Sequence, residues 1–374
     1  MTALARTDTS LLGRWWWTVD RWTLAAIGLL IAIGALLVLA ASPAVAARID
    51  LDSYHFVKRQ FVFLGLGAMI ILGVSFLSPV GVRRLAILGG IAALALTMLT
   101  LVAGTEIKGA SRWLHLGGLS LQPSEFVKPT FAVAVAWLLS RNQLDEHFPG
   151  FLATTGLYVV VVGVLLLQPD VGMAFVVSAV WGTQMFVAGL SVLLVAGIAT
   201  GFIGAAVGAY FIFDHVRGRI DRFLDPGAEE GYQVGRALDA FGNGGLTGRG
   251  PGEGRVKEIL PDAHADFILA VAGEEFGLIA CLVIVALFLF VVLRGINRAV
   301  QMDDLFRLFA ATGLVVQFGL QAAVNMASTV NLIPPKGMTL PFISYGGSST
   351  LALAIGIGML LALTRQGPAV GGMR

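Results

Sequence analysis

The sequence predicts an all-α fold, a polytopic membrane helix bundle of about ten spans with one large extracytoplasmic loop. Three observations carry this prediction. Apolar residues make up 57% of the chain and charged ones only 13%, against about one quarter charged in a soluble domain. The apolar residues fall into runs about one bilayer long at 1.5 Å per residue. Only one long stretch, Asp214 to Ala265, is polar. Residues 1–374 are therefore read as one integral membrane domain, with 214–265 as the loop between helices seven and eight.

The N-terminus carries Arg6, Arg14, Arg21 and the cluster Trp15, Trp16, Trp17 ahead of the first apolar run, Thr23 to Ala41. Aromatic rings favour the headgroup zone and arginines the cytoplasmic side. Ala44-Val45-Ala46 resembles a signal-peptide cleavage site, but the run before it is long enough to span, so it is read as an uncleaved first helix. Further runs follow at 61–77, 85–104, 124–139, 151–168, 171–189, 191–213, 266–293, 307–330 and 342–364. The long stretch from Phe151 to Phe213 is divided at Gln168-Pro169-Asp170 and Gly189-Leu190-Ser191, where turn-forming residues interrupt it.

With the N-terminus inside, the cytoplasmic turns hold Arg83, Arg84, Arg141, Arg294, Arg298, Arg307, Arg365 and Arg374. This bias sets the orientation and puts the polar segment outside. Arg48, Lys58, Arg59, Lys108, Arg112, Lys128 and Lys336 then lie on the outer side, where the positive-inside rule disfavours basic residues; the retention of Lys108, Arg112, Lys128 and Lys336 suggests an anionic partner, with headgroup contact or snorkelling as the plain alternative. Gln122, Glu125, Ser344 and Tyr345 stand beside these basic residues in the sequence. Glu125 and Lys128, three apart, share a helix face and can pair. A net charge of +2 with scattered basic residues excludes a nucleic-acid-binding tract. Five dispersed histidines give no metal-ligand spacing, and the lone Cys281 excludes an internal disulfide.

Asp266 is the leading catalytic candidate. It stands where the polar loop meets an apolar run, and a carboxylate at such a seam is costly to hold dry. A helix-capping Asp is the plain structural alternative. Glu274 and Glu275 lie about 12 to 14 Å further along a helix, too far to pair tightly with Asp266, and are read as buried hydrogen-bonding groups. The glycine-rich stretch Gly242 to Lys257 lacks a P-loop ending. Its amides, with Arg249, Arg255 and Lys257, are expected to face an anion such as a pyrophosphate.

Four segments carry a family resemblance: KGASRWLHLGGLSLQPSEFVK, QPDVG, GRGPGEGRVKEILPDAHADFILAVAGEEFG and NLIPPKGMTLPFISYGGSS. In this order they resemble the hallmark segments of the SEDS family, the polytopic peptidoglycan polymerases. Lys336-Gly337-Met338-Thr339 and the GxGxxK pattern of Gly252 to Lys257 are more similar to the cell-division branch than to the elongation branch. The resemblance implies a glycosyltransferase that joins lipid II units at the outer face of the bacterial cytoplasmic membrane, at the division septum. Asp266 matches the family's essential aspartate. Ala265, Asp262 and Ser111 depart from the usual Thr, Glu and Arg, and leave that aspartate in place.

On this reading Asp266 is the general base and undecaprenyl pyrophosphate the leaving group. Arg59, Arg112, Gln122, Glu125, Lys128, Lys257, Lys336, Ser344 and Tyr345 are the expected substrate-binding set. A divalent cation, Mg or Mn, is an alternative source of positive charge. The implied partners are lipid II, membrane lipid, a class B penicillin-binding protein acting as transpeptidase, and other divisome membrane proteins. Two other classes stay open: a lipid II flippase, for which Glu274 and Glu275 would be the deep ionisable groups, and a non-catalytic scaffold for a transpeptidase, which would have no need of Asp266.

Overall fold

The computed structural model describes residues 10–107, 110–116, 119–212, 217–218, 220–221, 225, 229–334 and 337–366. Each of the ten apolar runs coincides with a helix. After a short α1 (Leu11–Thr18) come α2 (Arg21–Arg48), α3 (His55–Ser75), α4 (Pro79–Ala103), α5 (Ser124–Leu144), α6 (Gly150–Leu167), α7 (Val171–Val187) and α8 (Val192–Ile212). The second half holds α9 (Glu229–Gly244), α10 (Val256–Ile259), α11 (Ile268–Val300), α12 (Leu305–Thr329) and α13 (Gly347–Leu363). Among the described residues, six helices are long and apolar enough to cross a membrane, and α7 and α13 are shorter apolar helices.

Capping marks the helix starts. The side chains of Ser10, Asp20, Ser78, Asp170 and Asp304 accept backbone N–H groups at the first turns of α1, α2, α4, α7 and α12, supplying part of what a helix start lacks. The connection after α4 departs from the all-helical expectation. It forms an antiparallel sheet of β1 (Thr105–Ile107), β2 (Ala110–Leu116) and β3 (Leu119–Leu121), in the order β1-β2-β3. Short alternating stretches such as Trp113 to Leu121 support strands, but the sequence signal is only a few residues long.

The bundle packs around α5, α12 and α13, and α13 is buried over most of its length. Small residues permit the close approach, as expected where helices meet inside a membrane. A Cβ on Gly358 of α13 would meet Val74 at 2.7 Å and the Ile71 carbonyl at 3.2 Å, both on α3. The two ends of the bundle differ in what they gather. One holds α1, the start of α4 and the end of α13, tied by bonds from Gln366 N to the Thr18 carbonyl and from Arg365 to the Leu77 carbonyl. Arg294 also grips Asp20 there, at 2.7 Å. The other end holds the polar segment, where Arg48 donates to the Leu260 carbonyl at 2.7 Å.

The polar segment is not one open loop. Within it α9 packs against the start of α11, with Phe241 seated where Gly273 has no side chain. In addition α11 is two helices joined at Gly277, whose φ of 79° is not helical. That break leaves backbone groups without helical partners, and the glycine-rich stretch supplies them. Arg249 N and Gly250 N donate to the Glu274 and Glu275 carbonyls at 2.9 and 3.0 Å. Leu278 N and Ile279 N donate to the Gly245 and Leu246 carbonyls at 2.9 and 3.2 Å.

Candidate active site

Asp266 sits in the chain of turns that leads into α11 and is half-buried. The N-cap position of the helix belongs to Phe267, so Asp266 is not its capping residue. The backbone that carries it is pinned from three sides. Asn325 Nδ2 and Thr329 Oγ1 of α12 donate to the Asp266 carbonyl at 3.0 and 3.5 Å. Ser344 Oγ donates to the Ala265 carbonyl at 2.6 Å, and Tyr345 N to the His264 carbonyl at 2.9 Å. Every one of these bonds goes to main chain, so the backbone position of Asp266 is fixed. Its carboxylate lies beside Gly337, where an added Cβ would find Asp266 Oδ2 at 3.9 Å. Lys336, the preceding residue, lies outside the described residues, as does Lys108.

Ser344 and Tyr345 join this pocket by different means. Ser344 accepts Leu340 N at 2.9 Å besides donating to Ala265, and Gln60 holds its carbonyl at 3.2 Å. Its hydroxyl is thus committed to the protein, and Ser344 positions Asp266 instead of facing a ligand. The Tyr345 ring packs with His264 and Phe56, at centroid distances of 5.2 and 5.1 Å, and its hydroxyl bonds the exposed Arg59. Burial raises the Tyr345 phenol above its ordinary range, with Arg59 opposing that rise. Burial also holds His264 neutral, pushing it down to about 4.

A second cluster adjoins the first through α12. Lys128 pairs with Glu125 at 2.9 Å, as their spacing predicts, and donates to Gln321 Oε1 at 2.6 Å. Gln321 Nε2 in turn reaches the Thr339 carbonyl at 3.2 Å and Ser349 Oγ at 3.1 Å, and Thr339 and Ser349 share a hydrogen bond of 2.6 Å. The stretch Gly337–Thr339 therefore runs from the Asp266 carboxylate to the Lys128 network. Lys128 is only 2% exposed, and a buried ammonium needs such partners. Gln122 is anchored through its backbone N–H to Ser348 Oγ at 2.9 Å.

Arg112 of β2 clamps the Gln-Pro-Asp turn. It donates to the Gln168 and Pro169 carbonyls at 3.0 and 2.7 Å and lies 3.4 Å from Asp170. Burial raises the Asp170 carboxyl, against the opposing Arg112 charge, and the charges of Glu125 and Lys128 also reach it. Arg112, Asp170, Glu125 and Lys128 thus form one electrostatic unit.

Lys257 is engaged within the protein. Its ammonium lies 2.5 Å from Glu275 Oε1 and donates to the Ala40 and Gly252 carbonyls at 3.1 Å each. An ammonium has three donors, all used here, so Lys257 faces no external anion. The glycine-rich amides are engaged in the same way. Gly252 N and Val256 N donate to the Glu275 and Glu274 carboxylates at 2.9 Å each. These amides do converge on anions, but the anions are the protein's own side chains.

The sequence reading also passed over Gln321 and Asn325. Gln317, Gln321, Asn325 and Thr329 stand four apart on α12 and are all buried. A polar residue at every fourth position marks one helix face, and that stripe was available as a signal. Among the described residues no three His, Cys, Asp or Glu side chains converge as metal ligands.

Known proteins match this chain over nearly its whole length. The family model described as "Cell cycle protein", for FtsW, RodA and SpoVE, matches residues 21–368. The chain is 45% identical over 367 residues to a protein of Caulobacter vibrioides named probable peptidoglycan glycosyltransferase FtsW, covering 98% of this chain and 94% of that one. A protein of Geobacter sulfurreducens with the same name is 37% identical over 363 residues, covering 93% and 96%. Among solved structures, a chain from a study of polymerization and crosslinking by a peptidoglycan synthase complex aligns with a TM-score of 0.77 at 29% identity, covering 92% of this chain and 97% of that one. The rod shape determining protein RodA of Thermus thermophilus aligns with a TM-score of 0.69 at 28% identity, covering 93% and 97%. The chain belongs to the FtsW, RodA and SpoVE family of cell cycle proteins, the SEDS family whose motifs its sequence carries.

Proposed function

We propose that this multi-pass membrane protein is a cell-division peptidoglycan glycosyltransferase that polymerises lipid II, with Asp266 as its general base. The relatives named FtsW support the activity. The observation that carries the residue assignment is the contrast between a pinned backbone and a half-buried carboxylate at Asp266. A base must be held in place yet able to reach the proton it takes.

A hydroxyl of one lipid-linked disaccharide attacks the anomeric carbon of another. Asp266 accepts the hydroxyl proton as the new glycosidic bond forms, and the bond to undecaprenyl pyrophosphate breaks. One such displacement inverts the anomeric centre, turning an α-linked donor into a β-linked strand. Pyrophosphate leaves readily, so the site needs stabilisation of its negative charge more than a strong acid. Arg59, Arg112 and Lys336 are assigned that task. Lys128, Glu125, Gln122, Ser344 and Tyr345 act at one remove, by holding the segments around Asp266.

The distribution of arginine supports cytoplasmic termini, and on that reading residues 214–265 and Asp266 face outward; the relatives named FtsW support a place at the septum. A class B penicillin-binding protein and other divisome membrane proteins are the proposed partners, and the similarity to a chain of a peptidoglycan synthase complex supports the first of these. The flippase reading drew on Glu274 and Glu275, and both are consumed in the glycine-rich seal.

The test is lipid II polymerisation by the purified protein with its transpeptidase, comparing wild type with Asp266→Ala and Asp266→Asn at matched folding and complex formation. Glycan strands from wild type alone are expected. Strands from all three proteins would remove Asp266 from the mechanism.

A further inference from the structure

At the end of the bundle opposite Asp266, a cavity of about 390 Å³ opens between α1, the end of α3, the starts of α4 and α12, and the end of α13. Arg14, Arg307 and Arg365 line it, with Leu11, Trp15 and Phe76 forming an apolar wall, and no acidic side chain lies among its lining residues. Trp15 and Phe76 stack at 5.0 Å, and Trp15 Nε1 is anchored on Ser75 Oγ at 2.8 Å, so the wall is built.

The arginines are only partly used by the protein. Arg307 caps α13 by donating from Nε and Nη2 to the Leu363 carbonyl, and Arg365 donates from Nη2 to the Leu77 carbonyl at 3.1 Å. Arg307 Nη1 and Arg365 Nε and Nη1 make no hydrogen bond among the described residues, and none of the three arginines makes an ion pair there. Asp304, one turn from Arg307, spends its carboxylate on the N–H of that residue at 3.0 Å. Burial and the adjacent Arg307 charge both lower Arg365 from its ordinary range, which a counter-anion would relieve.

The position of α1 says what kind of anion reaches this cavity. Leu11 and Leu12 are 73% and 62% exposed, and Arg21 lies over the rings of Trp16 and Trp17 at 5.7 and 5.2 Å. A short helix with bare leucines, tryptophans and arginines lies in the headgroup layer with its apolar residues dipping toward the acyl chains. The cavity beside it is therefore level with the lipid phosphates. Guanidinium forks match phosphate oxygens, and the Leu11, Trp15 and Phe76 wall matches the glycerol and first methylenes. We propose that this cavity is a binding site for an anionic phospholipid of the leaflet next to the termini, its phosphate held by Arg14, Arg307 and Arg365.

The test uses full-length protein purified in neutral detergent, titrated with phosphatidylglycerol or phosphatidylcholine and read by native mass spectrometry. Wild type should retain phosphatidylglycerol at least about tenfold more strongly. Arg14→Gln with Arg365→Gln should cut that retention by roughly 25-fold, about fivefold for each arginine near the surface. Arg14→Lys with Arg365→Lys should restore most of it, and equal unfolding temperatures without lipid should show that all three proteins fold alike. Arg14→Gln alone, at an exposed position, carries the test if the double variant does not fold. Equal retention of the two lipids by wild type overturns the proposal, as does a preference that Arg14→Gln leaves undiminished instead of cutting it about fivefold. Displacement of phosphatidylglycerol by millimolar inorganic phosphate would assign the cavity to free anions and overturn the lipid assignment.

Discussion

Asp266 and the Glu274-Glu275 pair lie within ten residues of one another, and the fold treats them in opposite ways. Both glutamates are 1% exposed, and their carboxylates and carbonyls are taken up by loop amides, Lys257 and Arg249. Asp266 is half-buried, and Asn325 and Thr329 of α12 hold its carbonyl. The comparison teaches that depth in an apolar run does not mark a catalytic carboxylate. What separates the two cases is burial: the glutamate side chains are sealed against Lys257 and loop amides, while Asp266 is half-buried with its carboxylate beside Gly337.

The sharpest way to break this contrast is to exchange the roles. Asp266→Asn should lower polymerisation by about a hundredfold to ten-thousandfold, the usual range for a general base, with its unfolding temperature in detergent unchanged. Glu275→Ala should do the reverse. It strands Lys257 in the interior, so folded stability should fall by about 3 to 5 kcal/mol, read as lost thermal stability and lost yield. A Glu275→Ala protein that unfolds like wild type would show that the seal is not structural.

A backbone test is smaller. Gly277→Ala puts a Cβ at a φ of 79° and against Gly248 N and Leu246 O. It should cost roughly 1 to 3 kcal/mol and reduce polymerisation as well, since the half of α11 that follows Asp266 would no longer meet the glycine-rich stretch as it does. The mildest test concerns pH. His264, held neutral with a pKa of about 4 against an ordinary 6.5, takes up a proton on unfolding below 6.5. Stability should therefore be full at neutral pH, decline as pH falls below about 6.5 and level off below about 4. His264→Phe should flatten that part of the profile while keeping the ring stack with Phe56 and Tyr345.

Much of this was legible in the sequence. The ten apolar runs all fall in helices, since apolar stretches of bilayer length are legible from composition alone; among the described residues six of these helices are long and apolar enough to cross a membrane. The Glu125–Lys128 pair followed from helical spacing, and Asp266 stood out at the seam between polar and apolar sequence. What stayed hidden was the destination of donors across long separations. Lys257 reads as an anion binder until Glu275 and the Ala40 carbonyl, 217 residues away in sequence, are placed around it. Ser344 reads as a ligand contact until its hydroxyl is seen on the Ala265 carbonyl. Basic and hydroxyl residues carry the same letters whether their partner is a substrate or the chain itself. Gly277 was hidden for a related reason, since a glycine in a helical pattern is usually tolerated without a break.

The break at Gly277 also has a mechanical consequence. The glycine-rich stretch is stitched to both sides of it by four backbone hydrogen bonds, while Phe241 locks α9 onto the first half of α11. The loop and that half-helix are consequently packed as one unit that leads to Asp266, braced across the Gly277 break. A force applied to the glycine-rich stretch therefore reaches the backbone of Asp266 through the first half of α11.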